Sequence, residues 1–441
     1  MEKNGQLSSW QELPWENFKH SLFHLQCKIY KAMRKNDIQS VIKLQKLLLN
    51  SSIARYIAKE EVAKRNLSYK LSKINEEQFF SNNNTRKFND EDLITQYLWK
   101  MLLEPAHEAI FSEHSFGFRL GKNPWDIQTQ LGSVLKKLSV QGKIKIIIIE
   151  IRPDFDTINY NFLIGKLICP REVKFKILKA LQSGILKNNV FSESNIVARG
   201  MLPSLFGNIV LDGIEKLPNA FLEGKNEKMY FGFRYGNQLI YILKNDASKT
   251  KLLQLITHFL KIRNLKISKK TIVDDATEFD FLGWHFFIQP TGKISTYPNK
   301  ENWQKYKTKI KSILKNSKYK INTRINRVKI ISREWHYYHQ FCDMSKVKGQ
   351  LYELKRWYSN YLRLNTKISK IDRILSLRKS FNNYKYKTFG YTKANRGGST
   401  FNGKWEDWDS EITNRQRQKE LYGLNLSSHS IAKIKLNKAN I

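Results

Sequence analysis

Three groups of residues have types and spacings that could do chemistry. The first is a set of carboxylates, Glu150, Asp154 and Asp156, at and just beyond the end of the run Ile146 to Ile149. Mg²⁺ favours hard carboxylate oxygens at short range, and two such ions can clamp the attacking and leaving oxygens of a phosphoryl transfer. The second is His336 and His339, a spacing that two imidazoles on one helix face can use to share a metal. No third ligand stands near them, so a packed or RNA-facing role is expected for both. The third is a block from 301 to 400 with 25 Lys plus Arg against 5 Asp plus Glu, a net of +20 out of +38 for the chain. Aromatics run through it: Trp303, Tyr306, Trp335, Tyr337, Tyr338, Trp357, Tyr358 and Tyr361. Cationic heads displace counterions from phosphates, and aromatic faces stack on unpaired bases. The same rings would equally serve as the core of a small helical domain, Trp335 and Trp357 first among them.

Composition bounds what surrounds these groups. The 441 residues suggest two to four domains. A hydrophobic fraction of 41% with 12% aromatics builds real cores and excludes a disordered basic tail. A net charge of +38 calls for a polyanion, nucleic acid before a membrane surface, although AT-rich coding bias would also enrich Lys. Cys27, Cys169 and Cys342 are far apart, which argues against a disulfide framework and a cysteine zinc site. Met1 to Trp15 shows no secretory or transit signal, and no apolar run approaches the ~20 residues that span a bilayer.

The elements that must position these groups follow from periodicity. Residues 15–65 read as helices broken by the turn Lys35-Asn36-Asp37, residues 66–92 as polar chain with a loop at 81–84, and Leu93 to Phe111 as a helix. Ile144 to Ile151 is a buried strand. Met229–Phe233 and Leu239–Leu243 form a hairpin around Arg234-Tyr235-Gly236-Asn237-Gln238. Phe279 to Ile288 reads as one further strand, and the tail after 390 as loop-like and then mixed in charge.

Five ordered stretches across about residues 10–365 resemble the group II intron-encoded reverse transcriptase/maturase family. They begin with Leu25-Gln26-Cys27-Lys28-Ile29-Tyr30-Lys31-Ala32, Leu44 to Leu48 and Ser51 to Arg55, which resemble its N-terminal helical extension. Leu103-Glu104-Pro105, Glu108, Phe111 and Ser115-Phe116-Gly117-Phe118-Arg119 are the most specific match, with Asp126 following. Phe279-Asp280-Phe281-Leu282-Gly283-Trp284 resembles the strand that closes the family's palm. Arg333-Glu334-Trp335-His336-Tyr337-Tyr338 and Leu354-Lys355-Arg356-Trp357 resemble its maturase domain, domain X.

The resemblance implies an α+β chain. Residues 1–92 would be the helical extension and reduced fingers, and 93–300 a reverse-transcriptase-like fingers and palm with an antiparallel sheet. Residues 301–380 would be an α-helical thumb and domain X, and 381–441 a basic tail without an HNH endonuclease. It also implies a palm metal site, and there the sequence departs. Glu150 replaces the strand-end Asp, and Asn237 and Gln238 fall where the family has Asp-Asp. Near Ala198-Arg199-Gly200 the nucleotide-contacting Gln is missing, and 66–92 lacks the fingers motifs. The expectation is therefore no catalytic residue and no metal or cofactor held by the protein. The function expected is an RNA-binding splicing factor for a group II or group III intron whose RNA requires Mg²⁺. The alternative is a residual RNA-directed DNA polymerase. Expected RNA contacts are Arg324, Arg327, Lys329, Arg333, Trp335, Tyr337, Tyr338, Lys355 and Arg356. Accessory splicing proteins are further expected partners, a membrane and a small-molecule substrate are not, and the expected place is a plastid, with the mitochondrion as alternative.

Overall fold

The computed structural model describes residues 13–76, 90–152, 158–183, 202–217, 229–244 and 247–381. Asp154, Phe155, Asp156, the 81–84 loop, Ala198-Arg199-Gly200 and the tail after 390 lie outside them.

Helices α1 (Trp15–Arg34), α2 (Ile38–Leu49) and α3 (Ser52–Glu76) open the chain, the last running past its expected end near 65. Leu22, Phe23, Ile29, Tyr30 and Met33 are the buried stripe of α1. The helix ends where expected, with Asn36 in the left-handed region (φ 58°) that Asn tolerates better than most residues. Asp37 then caps α2 by accepting the Ser40 N–H. Helix α4 (Asp90–Glu108) packs across all three. Helix α5 (Pro124–Ser139) starts from a capping box of Asn123 and Asp126, with Pro124 where a missing N–H costs nothing.

Strand β1 (Ile144–Ile151) is followed by α6 (Tyr160–Lys166), α7 (Arg171–Gln182) and α8 (Pro203–Leu211). The hairpin β2 (Tyr230–Tyr235) and β3 (Gln238–Lys244), helix α9 (Lys249–Ile262) and β4 (Ile267–Val273) come next. The four strands form an antiparallel sheet in the order β2-β3-β1-β4. Ile147, Ile149 and Ile151 face a core shared with α1 to α4 and α6 to α9, while Ile144 and Ile146 face a second core on the other side. Burial on both faces is why β1 reads as uninterrupted Ile rather than as an alternating pattern.

One expectation is corrected. Phe279 to Ile288 is not a single strand. It is a hairpin of β5 (Glu278–Phe281) and β6 (Trp284–Ile288), joined by β7 (Ile294–Pro298) in a separate three-stranded antiparallel sheet. The turn is Leu282-Gly283, both with positive φ (52° and 78°). A two-residue turn with two positive φ angles matches the right-handed twist of its strands, but Leu is an unusual residue for it. The Leu282 carbonyl is held by the Tyr338 hydroxyl at 2.6 Å. The strand that completes the larger sheet is β4.

Helices α10 (Lys300–Lys315), α11 (Ile321–Tyr338), α12 (Lys348–Asn365) and α13 (Lys370–Ser380) finish the described chain. Their buried residues, among them Trp303, Tyr306, Ile310, Val328, Trp335, Leu354 and Tyr358, belong to the second core. Apolar packing therefore continues through residue 300, from the sheets into the helices. The fold is a mixture of helices and antiparallel sheets, as expected. No helix among the described residues is long and apolar enough to cross a membrane.

Candidate functional site

The site is built where β1 ends. Glu150 stands opposite Gln238 of β3 on one side and Lys269 of β4 on the other, just before a register shift. Residues directly opposite in antiparallel strands project from the same face. That face therefore presents an amide, a carboxylate and an ammonium in a row. Asn237 has another task. Its Nδ2 donates to the Ile151 carbonyl at 2.9 Å, and the Ile151 N–H donates to the Asn237 carbonyl at 2.9 Å. A carboxylate could not make the first of these bonds. Amides also offer a divalent ion no charge, and hard cations are held mainly by carboxylates. Among the described residues, no three His, Cys, Asp or Glu side chains cluster so as to hold a metal ion.

The turn itself is Gly236-Asn237, with Gly236 at φ 60°. Gly at the first central position with positive φ is the signature of a type II′ hairpin. The segment Ser115 to Arg119 is pressed against it. A Cβ on Gly117 would overlap the backbone of Tyr235 and Gly236, and Phe116 N–H donates to the Arg234 carbonyl at 2.9 Å. The resemblance to the family is densest here, and each of these residues is used to hold shape.

Beneath the turn lie two buried ion pairs. Arg234 is fully buried and pairs with Glu215, also fully buried. Its remaining donors go to Asn208 Oδ1 (2.7 Å), the Gly236 carbonyl (3.1 Å) and Ser115 Oγ (2.7 Å). A buried charge is tolerable only when paired and hydrogen-bonded in this way. Asn208 also donates to the Gly117 carbonyl at 3.0 Å, closing the network. Arg119 donates to both Glu108 oxygens at 3.1 Å from Nε, and to the Ser112 and Ser115 carbonyls at 2.5 and 2.6 Å. Burial pushes the Glu108 carboxyl up, opposed by Arg119. Motif order in the sequence points to Glu108 and Arg119 but not to Arg234, the hub. Its one signal is a cation inside the aromatic strand Tyr230-Phe231-Gly232-Phe233-Arg234-Tyr235.

The helices α10 to α13 place the expected RNA contacts very differently from one another. Trp335 is inside the module, not on its surface. It is 8% exposed, stacks on Tyr306 at 4.4 Å and donates its indole N–H to Asn302 Oδ1 at 2.7 Å. Tyr338 stacks on Trp284 at 4.9 Å, and Tyr337 meets Trp125 edge-on at 4.8 Å. Tyr338 thus joins α11 to β6, and Tyr337 joins it to α5. Arg324 donates to the Leu314 carbonyl at 2.6 Å near the end of α10, and Arg327 lies over the Tyr319 ring at 3.9 Å. Arg333 is half-buried next to Glu334, whose carboxyl burial pushes up to about 7. Lys355 is half-buried, and burial lowers its ammonium. Lys329 and Arg356 are exposed. Lys311 Nζ lies over the Trp357 ring at 4.9 Å. His336 and His339 are buried, pushed down by burial to about 3 and about 4, and therefore neutral. His339 donates to the Trp335 carbonyl at 2.8 Å through Nδ1, a packed role.

The family model for the N-terminal domain of reverse transcriptase matches residues 10–91. Maturase-like protein 1 of Euglena gracilis is 28% identical over 389 residues, covering 80% of this chain and 82% of its own. The chain is thus similar to a maturase-like protein along most of its length, and its N-terminal part to the N-terminal domain of reverse transcriptase. Maturase-like protein 1 of Euglena longa is likewise 28% identical over 382 residues, 78% of this chain and 81% of its own. Among solved structures, telomerase from Candida tropicalis with a TWJ fragment of telomeric RNA matches with a TM-score of 0.34 and 10% identity. That match covers 78% of this chain and 57% of the telomerase. Telomerase from Candida albicans with a TWJ fragment gives 0.28 and 13%, covering 69% of this chain and 53% of the telomerase. The chain thus spans a little over half the length of each telomerase.

Proposed function

We propose that this maturase-like protein binds intron RNA of group II or group III type and assists its splicing, having given up nucleotide addition. The observation that carries the reading is the end of β1. The residues that shape a polymerase hairpin are kept and mutually engaged, from Gly117 against Gly236 to the Arg234 network. The positions that would hold metal are Glu150, Asn237 and Gln238, and Asn237 is used to tie the hairpin to β1. In this reading the four-stranded sheet with α5 is a palm, the helices around its other face are extension and fingers, and α10 to α13 are thumb and domain X.

Such a protein needs no nucleophile. The intron RNA supplies the chemistry with its own Mg²⁺, while cations supply affinity and unpaired bases supply specificity. Exposed Lys329 and Arg356 are the phosphate contacts of the C-terminal helices in this account. The place of action is a plastid, and accessory splicing proteins complete the assembly.

The test is to crosslink the protein to RNA in cells and sequence what is bound. Reads concentrated in one or a few introns are expected. Reads spread over exons and ribosomal RNA would overturn the reading. Primer extension on an RNA template with Mg²⁺ or Mn²⁺ is expected to give no product, and incorporation would instead establish a residual polymerase.

A further inference from the structure

Helix α13 carries an apolar stripe on its outer side. Ile371, Ile374 and Leu375 are 71%, 43% and 43% exposed, at positions i, i+3 and i+4 of one helix face. The opposite face is the one that packs inward. Ser376 and Ser380 are buried there, and Ser380 Oγ meets the Tyr358 hydroxyl of α12 at 3.1 Å. Around the stripe stand the exposed cations Lys367, Lys370, Arg378 and Lys379. Asp372, the acid of this helix, accepts from Ser369 at the N-cap. A scattered exposed Leu needs no explanation, but three large aliphatics on one helix face within a cationic rim define a surface with a preferred partner.

The chain itself contains a segment of the complementary kind. Trp405-Glu406-Asp407-Trp408-Asp409-Ser410-Glu411-Ile412 holds four acids and no base, in a protein of net charge +38. Its apolar residues fall at i, i+3 and i+7, the spacing of one helix face. We propose that residues 405–412 dock on the outer face of α13 in the same molecule. Trp405, Trp408 and Ile412 would cover Ile371, Ile374 and Leu375, and the four acids would meet the Lys and Arg rim.

Reach favours docking within one molecule. Twenty-three residues lie between Phe381, at the end of α13, and Trp405. At about 3.3 Å per residue, 23 residues reach at most roughly 75 Å, while α13 is only about 16 Å long. Covalent linkage makes the encounter intramolecular and raises the segment's effective concentration at α13 above that of a free partner. An acidic segment seated there would also occupy cations otherwise open to phosphate.

The experiment uses the full chain with Cys27→Ser, Lys379→Cys and Ser410→Cys, which spares the apolar residues of both partners. A short bismaleimide is added and the products are read by mass and by peptide mapping. A 379–410 crosslink at monomer mass is expected. The same crosslink only at dimer mass would overturn the proposal in favour of a second copy. Absence of any crosslink, with both cysteines reactive to monofunctional maleimide, would overturn it outright. In the same background, Glu406→Lys with Asp409→Lys should lower the yield several-fold, and adding Lys367→Glu with Lys370→Glu should restore it. Failure of the second pair to rescue the first would refute the charge pairing.

Discussion

Replacing Asn237 by Asp restores the residue type that a polymerase hairpin would carry, and the structure makes it costly. Asn237 Nδ2 donates to the Ile151 carbonyl at 2.9 Å. The variant loses this bond, worth about 1 kcal/mol, and turns two acceptors toward each other beside a half-buried carbonyl, worth about another 1–2 kcal/mol. Glu150, opposite Gln238, adds like charge on the neighbouring strand. A total of about 2–3 kcal/mol at neutral pH corresponds to about 30- to 150-fold more frequent opening of the β1 end. Asn237→Ala loses only the bond and should cost about 1 kcal/mol. The pH dependence separates the two. A carbonyl facing the new carboxyl favours its protonated form, so its folded pKa lies above the ordinary ~3.9 of Asp. The penalty is then complete above that raised pKa and vanishes as the pH falls to the unfolded value. Protection factors of the Ile151 amide, measured by hydrogen exchange at pH 7 and pH 4, are the readout. Wild-type protection of Asn237→Asp at pH 7, or a penalty that grows on acidification, would refute the argument.

Arg234→Met should leave Glu215 buried and uncompensated and cost about 3–5 kcal/mol, most of it recovered by adding Glu215→Leu; denaturant midpoints of the two variants check this. His336 and His339 are held neutral at about 3 and about 4, below the ordinary 6.5, so the unfolded state binds more protons between pH 6.5 and 4. Stability should therefore be full at neutral pH and fall through that window, and a double change to Gln should flatten the fall; a flat wild-type profile would contradict it. Neutralising Lys329 or Arg356 should leave folding intact and reduce the salt slope of single-stranded RNA binding by about 0.7 for each phosphate no longer neutralised. Trp335→Ala should instead destabilise the helices by about 3–5 kcal/mol, seen in melting before any effect on RNA.

The parts of the fold that could be read in the sequence are those with a local physical signature. Burial on both faces makes β1 a run of Ile, and Gly236-Asn237 between apolar runs marks the hairpin. Strand β4 was not legible because Ser268, Lys269, Lys270 and Thr271 are exposed on a sheet edge, where Lys discourages further pairing rather than signalling a strand. The break at Leu282-Gly283 was hidden because Leu rarely accepts positive φ, and its conformation is supported by bonds such as the one from Tyr338, distant in sequence. The same limit applies to the site. Glu150, Asn237 and Gln238 could be placed at one strand end from motif order alone. The Arg234 network could not, because Ser115, Asn208, Glu215 and Arg234 meet only in three dimensions. Among the aromatics of the basic block, sequence cannot tell a stacking face from a core ring. Trp335, Tyr337 and Tyr338 turn out to be packing residues, while Lys329 and Arg356 remain on the surface.

The central claim is that the protein keeps a polymerase shape in order to help an intron RNA reach its active fold. The most direct measurement is the splicing rate of the bound intron at a Mg²⁺ concentration too low for the RNA alone, with and without the protein. The account predicts that the protein restores splicing without added nucleotides, and that the effect weakens as monovalent salt rises. An unchanged splicing rate across protein concentrations that saturate the RNA would contradict it.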